Sequence, residues 1–130
     1  MILVDTSVIA DILTKDPDWF EWSRSQIERW ADQGPVCYNA IIFAELAVKF
    51  DTQKELEHRL SAFACLELLV NAAFQAGKAF EKYRRAGGKK ARPLPDFFIG
   101  AHAAVAGYRL LTRDASRYHT YFPTVTLIAP

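Results

Sequence analysis

Histidine and cysteine are scarce in this chain, three and two residues out of 130, and neither type clusters at metal-ligand spacing. Cys37 and Cys65 have no Cys or His neighbour; they are expected to be small buried hydrophobes in short strand-like runs, not a disulfide or a zinc site. His102 follows Asp96 by six residues, which at about 100° per residue puts it on another helix face. His58 falls on a polar helix and His119 in a Tyr-rich tail. Ser7 has neither a Gly-x-Ser-x-Gly context nor a histidine partner. Zinc chemistry, histidine acid–base chemistry and a serine nucleophile are all poorly served.

Long apolar runs are missing as well. No stretch approaches the roughly 20 residues of a membrane span. Met1 to Val4 is too short, before Asp5, for a secretory signal, so a cytoplasmic location without membrane association is expected. Net charge is almost absent: 16 Lys and Arg against 15 Asp and Glu give +1. There is no internal repeat and no low-complexity segment. A length of 130 residues, 51% of them apolar, fits a single domain over residues 1–130 with one core.

The near-zero total hides a polarised distribution. From Met1 to Asp32 there are seven acids against Lys15, Arg24 and Arg29; from Lys78 to Arg92 there are seven bases against Glu81 alone. A local basic patch of this kind attracts phosphate even on a nearly neutral protein.

Short apolar runs alternate with helical patterns. Met1 to Val4, Val36-Cys37-Tyr38, Cys65 to Val70, Leu110-Leu111-Thr112 and Val125 to Ile128 have the character of five strands. Between them the spacing predicts a helix from Thr6 to Thr14, a second starting near Pro17 and capped by Asp16, and a third capped by Asn39 that carries Glu45. A fourth starts at the Thr52-Gln53-Lys54-Glu55 capping-box spacing and runs to about Phe63, and a further helix covers Asn71 to Ala86. Gly87 to Pro93 is a basic loop. Pro95 opens another helix, which Gly107 closes, with a ridge of small residues at Gly100, Ala103, Ala104 and Gly107 that would let another backbone approach. The second helix carries Trp19, Phe20, Trp22, Ile27 and Trp30, a candidate docking surface. Strands and helices in this order imply a parallel sheet with both faces covered and sites at the carboxyl ends of its strands.

Four acids fall at the edges of apolar elements instead of on polar faces. Asp5 and Asp114 follow the first and fourth strands, Asp96 starts a helix, and Glu45 lies in Ile41 to Val48 with apolar neighbours at helical spacing. Carboxylates within about 4 Å repel by about 4 kcal/mol per pair at an effective dielectric near 20, so such a cluster needs protons or a cation. Magnesium or manganese suits oxygen donors best, and such ions promote in-line attack on phosphodiesters. Ser7 and Thr112 are placed to hydrogen-bond the carboxylates or bound water. Lys89, Lys90 and Arg92, just ahead of Asp96, are candidates to guide a phosphate backbone inward.

Val4-Asp5-Thr6-Ser7, Ala44-Glu45-Leu46, Pro95-Asp96-Phe97-Phe98-Ile99-Gly100-Ala101-His102-Ala103 and Leu111-Thr112-Arg113-Asp114, followed by Arg117-Tyr118 and Tyr121-Phe122-Pro123, resemble in order and spacing the PIN-domain ribonuclease toxins of the VapC type. The resemblance spans the whole chain. It implies a PIN-like three-layer α/β/α fold with a central parallel sheet of about five strands, and a magnesium-dependent endoribonuclease in which manganese can substitute. Asp5, Glu45, Asp96 and Asp114 match the acidic quartet, with Asp5 and Asp96 as principal metal ligands, Asp114 contributing directly or through water, and Glu45 acting on the attacking water. Thr112 matches a common hydroxyl position. Some members carry a further acid where this chain has Arg117. A small antitoxin partner and homodimerisation are also implied. A metal-dependent phosphatase, a receiver-like phosphoacceptor domain and a non-catalytic RNA- or protein-binding module are the rival readings.

Overall fold

In a computed structural model of the chain, which describes residues 1–91 and 94–130, the first strand lies at the centre of the sheet. β1 (Ile2–Val4) is an unbroken apolar run buried at every position, as a strand covered on both faces must be. It pairs in parallel with β2 (Val36–Asn39), Ile2 opposite Val36, and with β4 (Arg109–Leu111), Leu3 opposite Leu110. β3 (Ala64–Leu66) and β5 (Leu127–Ile128) extend the sheet to the order β3-β2-β1-β4-β5. All pairings are parallel, giving the expected α/β architecture of a five-stranded parallel sheet with helices.

That order has a consequence for function. From β1 the chain builds outward through β2 to β3, then returns to the other side of β1 for β4 and β5. The crevice outside the carboxyl ends of β1 and β4 is therefore the topological switch point, where open parallel sheets bind their ligands.

The helices are α1 (Thr6–Leu13), α2 (Phe20–Ala31), α3 (Ala40–Ala47), α4 (Gln53–Arg59), α5 (Val70–Arg85), α6 (Pro95–Ala106) and α7 (Ser116–Tyr121). Local chemistry sets several ends. Asn39 Oδ1 accepts from the Ile41 and Ile42 N–H groups, both at 3.0 Å, and Thr52 Oγ1 accepts from Glu55 N–H at 3.2 Å. Pro95 sits in the first turn of α6, and Gly107 closes it at φ 73°, a left-handed conformation that lets Tyr108 N–H bond the Ala103 carbonyl at 2.9 Å. No helix among the described residues is long and apolar enough to cross a membrane.

Several expectations are corrected. Pro17 does not start α2; residues 17–19 form a turn in which Asp16 Oδ1 accepts from Asp18 and Trp19 N–H, and the helix begins at Phe20. β3 and α4 are shorter than their apolar patterns suggest. Cys37 is buried, but Cys65, on the edge strand, is exposed. At Gly100 the close neighbour is the ring of Phe122, not another backbone; a Cβ there would overlap that ring. Trp22 and Trp30 of α2 are half-buried against the core, with Arg109 over Trp30, while Trp19, in the turn before the helix, is half-buried under Arg113. The large apolar side chains left exposed include Leu69, Val70 and Phe74 instead. α7 has no counterpart in the sequence reading.

Candidate acidic site at the switch point

Asp5 leaves β1 and stands at the N-cap position of α1, yet its side chain makes no cap. It accepts instead from the Thr112 hydroxyl at 2.7 Å and the Ser7 hydroxyl at 3.4 Å, both at Oδ2. Thr112 directly follows β4 and is fully buried, and its oxygen also receives Asp114 N–H at 3.1 Å. One hydroxyl thus ties together the loops that carry two of the four acids.

The other two arrive on helices. Asp96 lies in the first turn of α6, beside Phe97, whose wholly buried ring meets Phe80 of α5, Tyr83 of α5 and Tyr121 of α7 at centroid distances of 5.9, 5.5 and 5.4 Å. Aromatic packing therefore fixes the helix start. Asp96 Oδ2 accepts from Arg117 Nη1 at 3.2 Å. Glu45 projects from α3 and accepts from the Thr6 hydroxyl at 2.6 Å, so the first residue of α1 orients it. Asp114 is exposed and accepts from Ser116 at 3.2 Å.

Asp5 feels the charges of both Asp96 and Glu45, and Glu45 that of Asp96. Burial raises the Asp5 carboxyl to about 6, Thr112 opposes the shift, and the charges of Asp96 and Glu45 add to it. Asp96 is raised chiefly by burial and further by Asp114, against the pull of Arg117. Glu45 is also raised chiefly by burial, with Thr6 opposing and Asp96 adding. The sequence reading missed Tyr118, which α7 turns inward toward the same acids. It is 1% exposed, its hydroxyl has no hydrogen-bond partner among the described residues, and burial first, then Asp5 and Asp96, push it well above its ordinary value. Only the neighbouring Arg117 and its place after Asp114 hinted at it.

Arg113 was also missed. It forms a forked ion pair with Asp11, Nε to Oδ2 and Nη2 to Oδ1, each 3.0 Å, and Asp11, 2% exposed, also accepts from Ser23 at 2.7 Å. The pair braces the loop between Thr112 and Asp114 against α1 and α2. His102 is buried and Asn39 Nδ2 lies 2.9 Å from its Nδ1. Since Asn39 Oδ1 already serves two backbone donors, its amide nitrogen donates to Nδ1 and the imidazole proton sits on Nε2. Burial lowers the His102 pKa, keeping the ring neutral.

Lys89 and Lys90 are exposed on the loop after α5. Arg84 Nη1 donates to the Lys90 carbonyl at 2.7 Å, and the Tyr83 ring fills the space a Cβ at Gly88 would need. Arg92 lies outside the described residues.

The donors at the switch point are carboxylate and hydroxyl oxygens, without thiolate or free imidazole, and this set fits a hard divalent cation. Among the described residues no three His, Cys, Asp or Glu side chains stand in metal-ligating geometry, and Asp96 is engaged with Arg117. A cavity of about 480 Å³ between α3, α4 and β3, lined by Tyr38, Phe43, Leu60 and Phe63, contains none of the four acids.

The fold has solved relatives. VapBC2 from Rickettsia felis bound to a promoter DNA fragment matches with TM-score 0.76 and 19% identity, over 100% of this chain and 99% of that one. VapBC-1 from nontypeable Haemophilus influenzae matches with TM-score 0.74 and 17% identity, over 99% and 98%. FitAcB from Neisseria gonorrhoeae matches with TM-score 0.66 and 23% identity, over 98% and 96%. No curated protein sequence matches significantly. The family model described as PIN domain matches residues 2–123, and the chain belongs to that family.

Proposed function

We propose that the chain is a magnesium-dependent endoribonuclease, with manganese able to substitute, and the cytoplasmic toxin of a toxin–antitoxin pair. The observation that carries this reading is the convergence of acids from separate elements at the switch point: Asp5, held by Thr112, feels the charges of Asp96 and Glu45, and Glu45 feels that of Asp96. Isolated helix caps or turn acids would not do so.

Asp5 and Asp96 would hold the cation, with Asp114 at the rim. When bound, the cation supplies positive charge to the phosphate and to its attacking water. The Thr112 and Ser7 hydroxyls fix Asp5 as an oxygen donor. Glu45, oriented by Thr6, takes the proton of the water that attacks phosphorus. The phosphorus–oxygen bond on the opposite side breaks, and the leaving oxygen picks up a proton. Lys89 and Lys90, with Arg92, draw the strand toward acids that would otherwise repel it. The solved VapBC and FitAcB neighbours support a small antitoxin partner for this chain, and homodimerisation belongs to the same reading.

Labelled total RNA incubated with magnesium or manganese, with and without EDTA, tests the proposal. Discrete cation-dependent cuts, lost in folded Asp5→Asn and Asp96→Asn, are expected. The Arg117–Asp96 ion pair favours a second reading, a binding module in which Asp96 is already paired with a cation of the chain itself. RNA that binds but stays intact with both metals would establish it.

A further inference from the structure

Arg117 has more hydrogen-bonding capacity than the folded chain uses. Its guanidinium lies 5.7 Å from the Tyr83 ring centroid and 5.6 Å from that of Phe97, so two aromatic rings hold it in place. Among the described residues its hydrogen bond is the one from Nη1 to Asp96, and its side chain stays a third exposed. A guanidinium carries five N–H donors arranged to grip a phosphate by two oxygens. Beside it opens a cleft of about 250 Å³ lined by Tyr83, Ser116, Thr120 and Tyr121, a set of hydroxyls and ring faces with no carboxylate. The pair is partly buried but still about a third exposed on both sides, so solvent and a phosphate can reach it and exchange it.

We propose that Arg117 is a phosphate-binding residue for RNA: in the RNA-free protein it rests on Asp96, and on binding it moves to a backbone phosphate in the Tyr83–Tyr121 cleft, releasing Asp96 to the cation. Substrate and metal then cooperate, because the strand removes the cation's competitor for Asp96. The inference rests on the proposed RNA-cleaving function, and it assigns to α7 a role separate from that of the Lys89–Lys90 loop.

The test compares the parent with Arg117→Gln and Arg117→Lys, checked by thermal melting. The RNA probe is a fluorescein-labelled mixed-sequence single strand of about 12 nucleotides, within the span such sites cover. Binding is measured in EDTA, where no cutting occurs, across a salt series, and Mn²⁺ binding to RNA-free protein is measured by calorimetry. Arg117→Gln is expected to weaken RNA binding about tenfold and to reduce the log–log salt slope by about 0.7, one phosphate contact on a single strand. Arg117→Lys should keep the slope but lose affinity, having a point charge in place of the fork. Mn²⁺ should bind Arg117→Gln more tightly than the parent, since its competitor for Asp96 is gone; the loss of RNA affinity and of salt slope is the effect a merely structural ion pair would not give.

Parental RNA affinity and slope in Arg117→Gln, or unimproved Mn²⁺ binding, would overturn the proposal; if that variant does not fold, parental RNA affinity in Arg117→Lys does so. A parent that binds RNA but never cuts it, with Arg117→Gln still weakened, would remove the nuclease reading and leave the phosphate site standing. A parent that binds no RNA removes both.

Discussion

The Thr112 hydroxyl donates to Asp5 across 107 residues of sequence, and the 2.7 Å bond joins the carboxyl ends of two adjacent strands. Replacing Thr112 with valine keeps the side-chain shape but strips a buried carboxylate of its shortest partner. A loss of about 1–3 kcal/mol in urea unfolding is expected. Because that bond lowers the Asp5 pKa, the valine variant should also shift its acid titration upward, which carboxyl NMR can follow.

Asp5 titrates near 6 in the folded chain, against an ordinary value of 3.8. A raised carboxyl contributes stability that is fully present below the unfolded value and is lost as pH rises through the folded one. Metal-free protein should therefore lose up to about 3 kcal/mol between pH 4 and pH 7 on this account. Asp5→Asn should be more stable than the parent at pH 7 and lose that advantage as pH falls to about 4. Magnesium should raise the melting temperature of the parent at pH 7 and leave that of Asp5→Asn unchanged; chemical and thermal unfolding at the two pH values checks both.

Arg113→Ala would leave Asp11 buried, with only Ser23 as a side-chain partner. Removing one member of a buried pair costs about 3–5 kcal/mol, and the partial exposure of Arg113 points to the lower end. Arg113→Lys should recover little, since both carboxylate oxygens are gripped by the fork. Denaturant titration of the three proteins measures this.

Gly100→Ala should destabilise by about 1–3 kcal/mol because its new methyl group meets the Phe122 ring. Phe122→Leu in the same chain should recover part of the loss, so the double-mutant coupling is expected to be favourable.

Lys89→Ala with Lys90→Ala should weaken RNA binding and lower the salt slope by about 1.4, from two phosphate contacts at about 0.7 each. An unchanged slope in anisotropy titrations would remove the loop from the RNA path.

The parts of the fold that sequence made legible are those that local chemistry specifies. Pro95 and Gly107 bracket α6, Asn39 and Thr52 cap their helices, and the apolar runs locate β1, β2 and β4. Each signal lies within a few residues of the structure it dictates. α7 had no such signal: Ser-Arg-Tyr-His-Thr-Tyr shows no apolar stripe, and what anchors it is Tyr118, buried against elements distant in sequence. The same holds for Arg113 and Asp11, which sequence places 102 residues apart. That the α2 aromatics are half-buried was not legible, because composition does not reveal that Trp22 and Trp30 pack on the core or that Arg109 lies over Trp30. Asp5, Glu45 and Asp96 were legible because acids at the ends of apolar elements are conspicuous, whereas Arg117 became informative only once its partner was known.

The return of the chain to the far side of β1 also sets an order in time. A ribosome delivers Asp5 and Glu45 early, on β1–α1 and α3, but Asp96 and Asp114 belong to the last third of the sequence. Until β4 is laid beside β1, Asp5 lacks its Thr112 partner and the crevice has only one wall. On the reading proposed above, a product stalled before α6 would lack Asp96 and Asp114 and so would be unable to cut RNA.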